Sequence, residues 1–330
     1  MAYSKKYLIN LSDQTNFGSE EHTQVTNELI NKLQNHETLT LAEEEYACTA
    51  IHTLHDDNGI RPFKPSDYQG CKNYWFRNRY LIHYKDLDCK GSAFDAFGEI
   101  SSKDIARDRE FLNNQFIEWE SIIVNAKIND RITQYISTET KHHIKLIKRY
   151  CEENNIDSVD FEYKRKAIIL HGKFIYLVVK EYFDELGLEE LKLQINQHNI
   201  LLDQYCYVHI LFRHYAALIK EYQLNKSYHF DKQIEYDYLP DFLIKIMEEF
   251  NRIAHRVCFD ERSIAFKYSG TLYEIWFRPM TRHLAGNTVE NYLRLQTLYP
   301  VEAVRDIDRI NGFDEIEIND KLTFIVKNIT

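Results

Sequence analysis

YVHILFRHYAALIKEY, residues Tyr207–Tyr222, is the stretch around which the rest of this chain is organised. Its apolar residues recur at intervals of three and four, which predicts one face of an amphipathic helix. His209 and Arg213 stand four residues apart and share a face that points away from the apolar one, and His214 lies between the two faces. The pattern favours an anion site on the polar face. The alternative is a solvated polar face with one half-buried histidine.

Alternating runs of residues follow a second predicted helix, LPDFLIKIMEEFNRIAH, and predict three strands: SIAFKYS, TLYEIWFRP and NYLRLQTLYP. Ser269-Gly270 is a tight hairpin signal between the first two strands. The alternation places four residues of the third strand on a common face: Leu293, Leu295, Thr297 and Tyr299. Helices followed by a small antiparallel sheet make an α+β module.

Four short motifs follow one another within residues 200–305: HILFRH from His209, Tyr273-x-Ile275, a strand end at Arg278, and a closing TLYP from Thr297. In this order they resemble the superfamily that groups barnase, EndoU, the tRNA-cleaving colicins and RelE, closest to the branch encoded in phages and mobile elements. Many relatives have glycine directly after the Arg-His pair, where this chain has Tyr215.

The resemblance implies a small α+β ribonuclease that needs no metal and leaves a 2′,3′-cyclic phosphate. It implies that His209 or His214 is the acid or base and that Arg213 or Arg278 binds the phosphate. Thr297 and Tyr299 would be the polar pair of the late strand, and Tyr273 would contact the substrate. The acid or base, the two arginines, Thr297 and Tyr299 are expected to line one cleft.

A long loop is expected between the last two strands of this module. PMTRHLAGNTVEN, residues Pro279–Asn291, is too long for a simple hairpin turn and carries Arg282 and His283. We therefore expect this loop to close over the substrate and both residues to bind it.

The composition is that of a globular protein. With 330 residues, 44% of them hydrophobic, the chain can bury a sizeable core and its length suggests two domains. We predict a mainly helical domain, residues 1–195, that regulates access or selects the RNA. The ribonuclease-like α+β domain is predicted over residues 196–330.

The charge distribution favours a local phosphate site over bulk binding of nucleic acid. A net charge of −10 argues against a protein that coats nucleic acid through electrostatics alone. Residues 201–300, however, hold 12 basic and 12 acidic residues and five of the 14 histidines. A neutral, histidine-rich module within an acidic chain is suited to bind a structured RNA at one site.

No metal or cofactor is expected. The six cysteines form no CxxC pair and have no zinc spacing, so they are predicted to be reduced. His52 and His55 precede two aspartates, but no further ligand set with recognisable spacing completes a metal site. The N-terminus MAYSKKYLIN has no apolar signal region and no run approaches 18 apolar residues, which predicts a cytoplasmic protein without membrane insertion.

Two further segments leave alternatives open. CKNYWFRNRYLIHYKD, residues 71–86, interleaves basic and aromatic residues that could stack bases and hold phosphates, or form a core element flanked by solvated charges. Residues 156–187 fit either strands or a long helix that Gly172 interrupts.

These observations favour an endoribonuclease of a toxin or anti-phage defence system, with tRNA as a candidate substrate. Its expected partners are RNA and either a regulatory protein or a second copy of the chain. The alternative is a non-catalytic binding protein that uses the same helix and sheet surface. A third interpretation is a hydrolase that uses Cys206 or Cys258 with a nearby histidine, although neither cysteine has a signature around it.

Overall fold

The computed structural model describes residues 2–47, 94–95, 98–99, 102–125, 130–229, 234–259, 261–283 and 288–327, except for Asp237 and isolated positions between 14 and 45. The motif at His52 and the basic aromatic run at residues 71–86 lie outside the described residues. The chain divides into two compact units, Met1–Ala126 with Ser158–Leu177, and Lys127–Asp157 with Val178–Thr330. The domain boundary expected near residue 195 stays a prediction.

The described elements are eight α-helices, most of them before residue 215, and nine strands, seven of them after residue 189. The helices are α1 (Lys5–Leu11), α2 (Glu20–Gln34), α3 (Ser102–Asn125), α4 (Arg131–Glu153), α5 (Ser158–Leu186), α6 (Gln204–His214), α7 (Leu239–Ile253) and α8 (Val304–Ile310). The strands are β1 (Phe94–Asp95), β2 (Gly98–Glu99), β3 (Glu190–Ile195), β4 (His198–Asp203), β5 (Ser263–Tyr268), β6 (Thr271–His283), β7 (Val289–Pro300), β8 (Asp314–Glu317) and β9 (Leu322–Val326).

The first unit is mainly helical and also contains the short β1–β2 ladder. One apolar cluster joins α1 and α2 through Leu8, Leu11 and Leu29, and Tyr163 of α5 packs against it. Within this unit α5 contacts α3 through the ion pair between Arg165 and Glu120 and through the rings of Trp119 and Tyr176. Residues 158–186 form one uninterrupted helix, so the long-helix alternative for this segment is the one observed.

The second unit contains a seven-stranded sheet in the order β3-β4-β7-β6-β5-β9-β8. Every neighbouring pair is antiparallel except β4 and β7, which run parallel. The fold is therefore α+β, as the sequence predicted, but the sheet is mixed and larger than expected. The hairpin turn at Ser269-Gly270 is confirmed: φ is 48° and 86°, which matches the two positive values of a type I′ turn.

A β-bulge changes the faces of β7. Trp276 pairs with Thr297, but the next residue, Phe277, pairs with Leu295, so one residue of β7 is left unmatched. Consecutive residues of β6 face opposite sides, and each partner shares the face of its mate. Leu295 and Thr297 therefore lie on opposite faces. The common face predicted for Leu293, Leu295, Thr297 and Tyr299 was wrong because alternation alone cannot show an inserted residue.

The loop predicted at Pro279–Asn291 was also wrong. Strand β6 continues to His283 and β7 begins at Val289, with Thr281 paired to Asn291. Pro279 does not end the strand: it lies opposite Leu293, and the pairing with β7 continues after it as far as His283. Arg282 and His283 consequently lie on a strand and not on a loop over the substrate.

Helix α6 is shorter than the apolar spacing predicted. Asp203 caps its N-terminus by accepting a hydrogen bond from the Cys206 N–H at 3.0 Å. The helix ends at His214 with Tyr215 as the C-cap, and residues Ala217–Tyr222 form a separate 3₁₀ helix. Helix α6 packs against α4, β4 and β7, and α7 packs against β3. These contacts bring the polar face of α6 against α4.

Phe266 is the centre of the sheet's aromatic core. It is fully buried, and its ring centroid lies 6.2 Å from that of Phe242, 5.7 Å from Tyr273 and 6.2 Å from Phe324. Truncation would leave a cavity among these rings.

We predict that Phe266→Ala lowers the free energy of unfolding by roughly 3–5 kcal/mol, because a buried phenyl ring is lost and its cavity cannot close. Lys267→Ala is the matched control: the next side chain along β5 is partly exposed and contacts Glu315 at 2.6 Å, an ion pair that contributes less than about 1 kcal/mol. Urea unfolding measures both. Equal destabilisation by the two variants would contradict this account of the core.

Candidate functional site

A buried carboxylate joins α4 to the polar face of α6. His209 Nδ1 lies 3.1 Å from Glu139 Oε1, and Arg213 Nε donates to Glu139 Oε2 at 3.0 Å. The side chains of Glu139, His209 and Arg213 are 7%, 15% and 20% exposed. We call these three residues the Glu139 centre. His209 and Arg213 share one helix face, as the spacing predicted. Both contact the carboxylate of Glu139, which the sequence did not indicate.

The contact fixes the tautomer of His209. Burial by itself raises the pKa of Glu139, but the hydrogen bond with His209 and the charge of Arg213 outweigh it and lower that pKa to about 2. An ionised carboxylate only accepts, so the ring proton must sit on His209 Nδ1. In the neutral imidazole, Nε2 then carries the lone pair. This is the arrangement in which a carboxylate orients a histidine to take a proton.

A second histidine ring approaches the same carboxylate. Gln223 Nε2 donates to His143 Nδ1 at 3.2 Å, so the proton of the neutral ring sits on His143 Nε2, 3.6 Å from Glu139 Oε2. His143 also stacks on Phe212, with ring centroids 5.6 Å apart. The hydrogen bonds to Glu139 therefore come from His209 and Arg213 of α6, and they compensate the loss of water around its charge.

Next to the Glu139 centre lies a stack of aromatic rings and an arginine. Tyr205 stacks on His209 with ring centroids 5.5 Å apart, and the guanidinium of Arg294 lies 4.4 Å from the Tyr205 centroid. Asp203 Oδ2 accepts from Arg294 Nε and Nη2 at 2.8 and 2.6 Å. Tyr135 of α4 meets the Tyr205 ring edge-on at 5.3 Å. We call Tyr135, Tyr205 and Arg294 the arginine–tyrosine stack.

His214 lies in a different environment from His209. It is 5% exposed, its Nδ1 donates to the Ser227 carbonyl at 2.7 Å, and its ring stacks on Tyr299 at 5.5 Å. Burial lowers the pKa of His214 to about 3, so the ring is neutral at neutral pH. The structure therefore places His214 in the core as a link between α6, residue 227 and β7.

Tyr299 and Thr297 are also turned toward buried surroundings. The Tyr299 hydroxyl donates to Glu274 Oε2 and accepts from Trp276 Nε1, both at 3.0 Å. Burial first, and then the Glu274 charge, raise the pKa of Tyr299. Thr297 Oγ1 is buried and has no hydrogen-bond partner within the described part of the chain. Tyr273, expected to contact substrate, is fully buried and stacks on Phe266.

The arginines predicted on β6 have different surroundings. Arg282 contacts Glu190 at 2.8 Å and Glu290 at 2.6 Å, and the hydrogen bonds to these carboxylates raise its pKa. His283 is exposed near the end of the strand. Arg278 is exposed and lies directly opposite Arg294 in the β6–β7 register. It borders a groove of about 460 Å³ whose other lining residues include His198, Pro279, Thr281, Asn291 and Leu293.

The predicted site residues thus do not line one cleft. His209 and Arg213 share the Glu139 centre, and the arginine–tyrosine stack connects that centre to the register position of Arg278. Buried contacts hold His214, Thr297, Tyr299 and Tyr273. Arg282 forms ion pairs with two glutamates. The separation follows from where α6 ends and from the bulge in β7.

Sequence reasoning missed Glu139, Tyr205 and Arg294. Glu139 lies within a helical run that includes two histidines, STETKHH, where nothing distinguishes a buried glutamate from a solvated one. Tyr205 precedes His209 by four residues, a spacing that predicts contact on one helix face. Arg294 stands between Leu293 and Leu295 of an alternating strand, which signals a polar residue facing a different layer from its neighbours.

Among the described residues, no group of three or more His, Cys, Asp or Glu side chains is arranged to hold a metal ion. The helices in that part of the chain include none that is long and apolar enough to cross a membrane. Comparison of the chain with family models, with curated proteins and with solved structures gives no match. The family resemblance carried by the short motifs therefore stays a prediction.

We predict that Glu139→Gln lowers the free energy of unfolding at pH 7 by an amount on the order of 3 kcal/mol. The pKa of this carboxyl in the folded protein is about 2, below its ordinary 4.5. Its stabilising contribution is therefore complete above about pH 5 and is lost as the pH falls toward 2. The difference between wild type and variant in urea unfolding should shrink over that interval.

Glu153→Gln is the control for this experiment. Glu153 lies on the same helix and pairs with Arg149 at 2.6 Å, but its side chain is 57% exposed, and such pairs contribute less than about 1 kcal/mol. A difference between wild type and Glu139→Gln that does not change with pH would contradict the assignment of a lowered pKa to Glu139.

Proposed function

We propose that this protein is a metal-independent endoribonuclease in which His209 is the acid–base residue and Arg213 binds the reacting phosphate. One observation carries the proposal: Glu139 contacts His209 Nδ1 and Arg213 Nε at 3.1 and 3.0 Å, so imidazole and guanidinium are fixed side by side. Positioning of this kind lowers the barrier because neither group must be ordered during the reaction.

The chemistry requires few groups. His209 Nε2 accepts the proton of a ribose 2′-hydroxyl, and the 2′-oxygen attacks the adjacent phosphorus. Arg213 stabilises the negative charge that builds up on the phosphoryl oxygens. The bond to the 5′-oxygen then breaks and that oxygen takes a proton from solvent. The products are a 2′,3′-cyclic phosphate and a 5′-hydroxyl.

The arginine–tyrosine stack supports RNA as the substrate. Tyrosine rings and a planar guanidinium provide surfaces on which unpaired bases stack, at about 1–3 kcal/mol per base. Tyr205 connects the stack to the reacting position, because its ring lies between His209 and Arg294. The proposed enzyme acts in the cytoplasm as part of a toxin or anti-phage defence system, and tRNA is the first substrate to test. Its proposed partner, besides RNA, is a regulatory protein or a second copy of the chain.

The burial of the Glu139 centre favours a second candidate. With side chains no more than 20% exposed, the same contacts also serve to join α4 to α6. A non-catalytic binding protein would keep them for that purpose alone, and the RNA-cleavage experiment separates the two candidates.

We predict that the purified protein cleaves total tRNA in the presence of EDTA and that His209→Asn slows cleavage by roughly a hundredfold or more, the usual contribution of one acid–base group. The asparagine amide can donate to Glu139 in place of Nδ1, so the fold is retained while the proton acceptor is lost. His255→Ala, which changes an exposed histidine of the same unit, should cleave at the wild-type rate.

The ends of the fragments test the mechanism. Mass spectrometry should detect 2′,3′-cyclic phosphates, and circular dichroism should show that His209→Asn remains folded. Cleavage by folded His209→Asn at the wild-type rate would overturn the assignment, and no cleavage of any RNA by wild type would favour the binding protein.

A further inference from the structure

Three arginines occupy one face of the β6–β7 ladder. Arg278 and Arg282 are four residues apart on β6, and Arg294 lies opposite Arg278, so alternation places all three on the same face. Arg282 is paired with two glutamates and Arg294 with Asp203. The side chain of Arg278 has neither an ion pair nor a hydrogen bond to any residue in the ranges that the structure describes. Of the three arginines, Arg278 is thus the one whose charge no described side chain compensates.

That charge lies directly opposite a second positive charge, the guanidinium of Arg294. Side chains directly opposite on antiparallel strands have Cβ atoms roughly 4.5–5.5 Å apart, and like charges there destabilise the pair. Arg294 cannot turn away, because Asp203 and the Tyr205 ring hold its guanidinium. An anion from solution that contacts both guanidinium groups would turn the repulsion into attraction.

The same face leads to the Glu139 centre. Arg294 stacks on Tyr205, and Tyr205 stacks on His209. A nucleic-acid strand that passes over these residues would carry one phosphate at His209 and another near Arg278.

We propose that Arg278 and Arg294 form a phosphate-binding subsite for single-stranded RNA, separate from the phosphate that reacts at His209. The choice of RNA as the ligand rests on the proposed function, whereas the anion site itself rests on the register and charges of β6 and β7. Arg278 is the specific residue of the subsite, since Arg294 already has an acidic partner.

The test is the salt dependence of binding. The probe is a fluorescently labelled eight-nucleotide RNA of mixed sequence with 2′-O-methyl groups, which cannot form a cyclic phosphate and so is not cleaved. Each phosphate contact contributes about 0.7 to the slope of log K against log salt for a single strand. Arg278→Ala should therefore reduce the slope by about 0.7 and weaken binding roughly tenfold at low salt, the loss expected for one hydrogen bond between charged groups.

Arg305→Ala is the matched control, because the Arg305 side chain is 92% exposed on α8 and should leave the slope unchanged. Arg278→Lys should retain most of the slope, since the charge remains. A second probe carries uncharged methylphosphonates in place of phosphates, and Arg278→Ala should bind it as wild type does.

An unchanged slope for Arg278→Ala, or an equal reduction for Arg305→Ala, would overturn the subsite. Failure of the proposed function looks different: wild type would bind the probe with Arg278-dependent salt sensitivity but would not cleave unmodified RNA. Cleavage that requires His209 together with binding that ignores Arg278 would instead retain the enzyme and remove the subsite.

Discussion

The second unit depends on the burial of one carboxylate. Glu139 loses most of its contact with water on α4, and an unpaired charge in that position would be strongly destabilising. Donors from α6 compensate it, and they can do so only if α6 is docked with His209 and Arg213 facing α4. The electrostatic requirement of a single residue thus fixes both the position and the rotation of the helix. The chemistry proposed for the site uses the orientation that this requirement imposes.

A second constraint couples the start of α6 to the sheet. Asp203 caps the helix through the Cys206 N–H with one oxygen and receives Arg294 of β7 with the other. Because β4 runs parallel to β7, its last residue is placed beside the middle of β7, where Arg294 lies. One short side chain therefore fixes a strand end, a helix start and the guanidinium against which Tyr205 stacks. A shift of α6 along its axis would break the helix cap and separate Tyr205 from the guanidinium of Arg294.

Local signals in the sequence were sufficient for the fold class. The alternation in β5, β6 and β7, the Ser269-Gly270 turn and the apolar spacing of α6 and α7 each reflect an element's own geometry, and each is observed. The bulge between Leu295 and Thr297, the length of the β6–β7 hairpin and the parallel β4–β7 pair depend on how strands meet in three dimensions. Periodicity in one strand carries no information about its partner, so these features could not be predicted. Of the candidate site, the His209 and Arg213 pair followed from helix spacing, whereas Glu139 lies 70 residues away from His209 along the chain.

The two histidines of α6 show why a motif alone does not identify a reactive residue. His209 and His214 are five residues apart and each uses Nδ1 as the donor, but the acceptors differ: a carboxylate for His209 and the neutral carbonyl of Ser227 for His214. Without an anionic partner, burial keeps His214 neutral down to about pH 3, and its ring serves to pack against Tyr299. Because His209 Nδ1 donates to Glu139, the lone pair of the neutral ring is on Nε2, the atom that accepts the proton in the proposed reaction. The Arg213-His214 pair is the more conspicuous motif in the sequence, but His214 is the buried ring. The acceptor of each Nδ1 is the reason why the proposed reaction uses His209 and not His214.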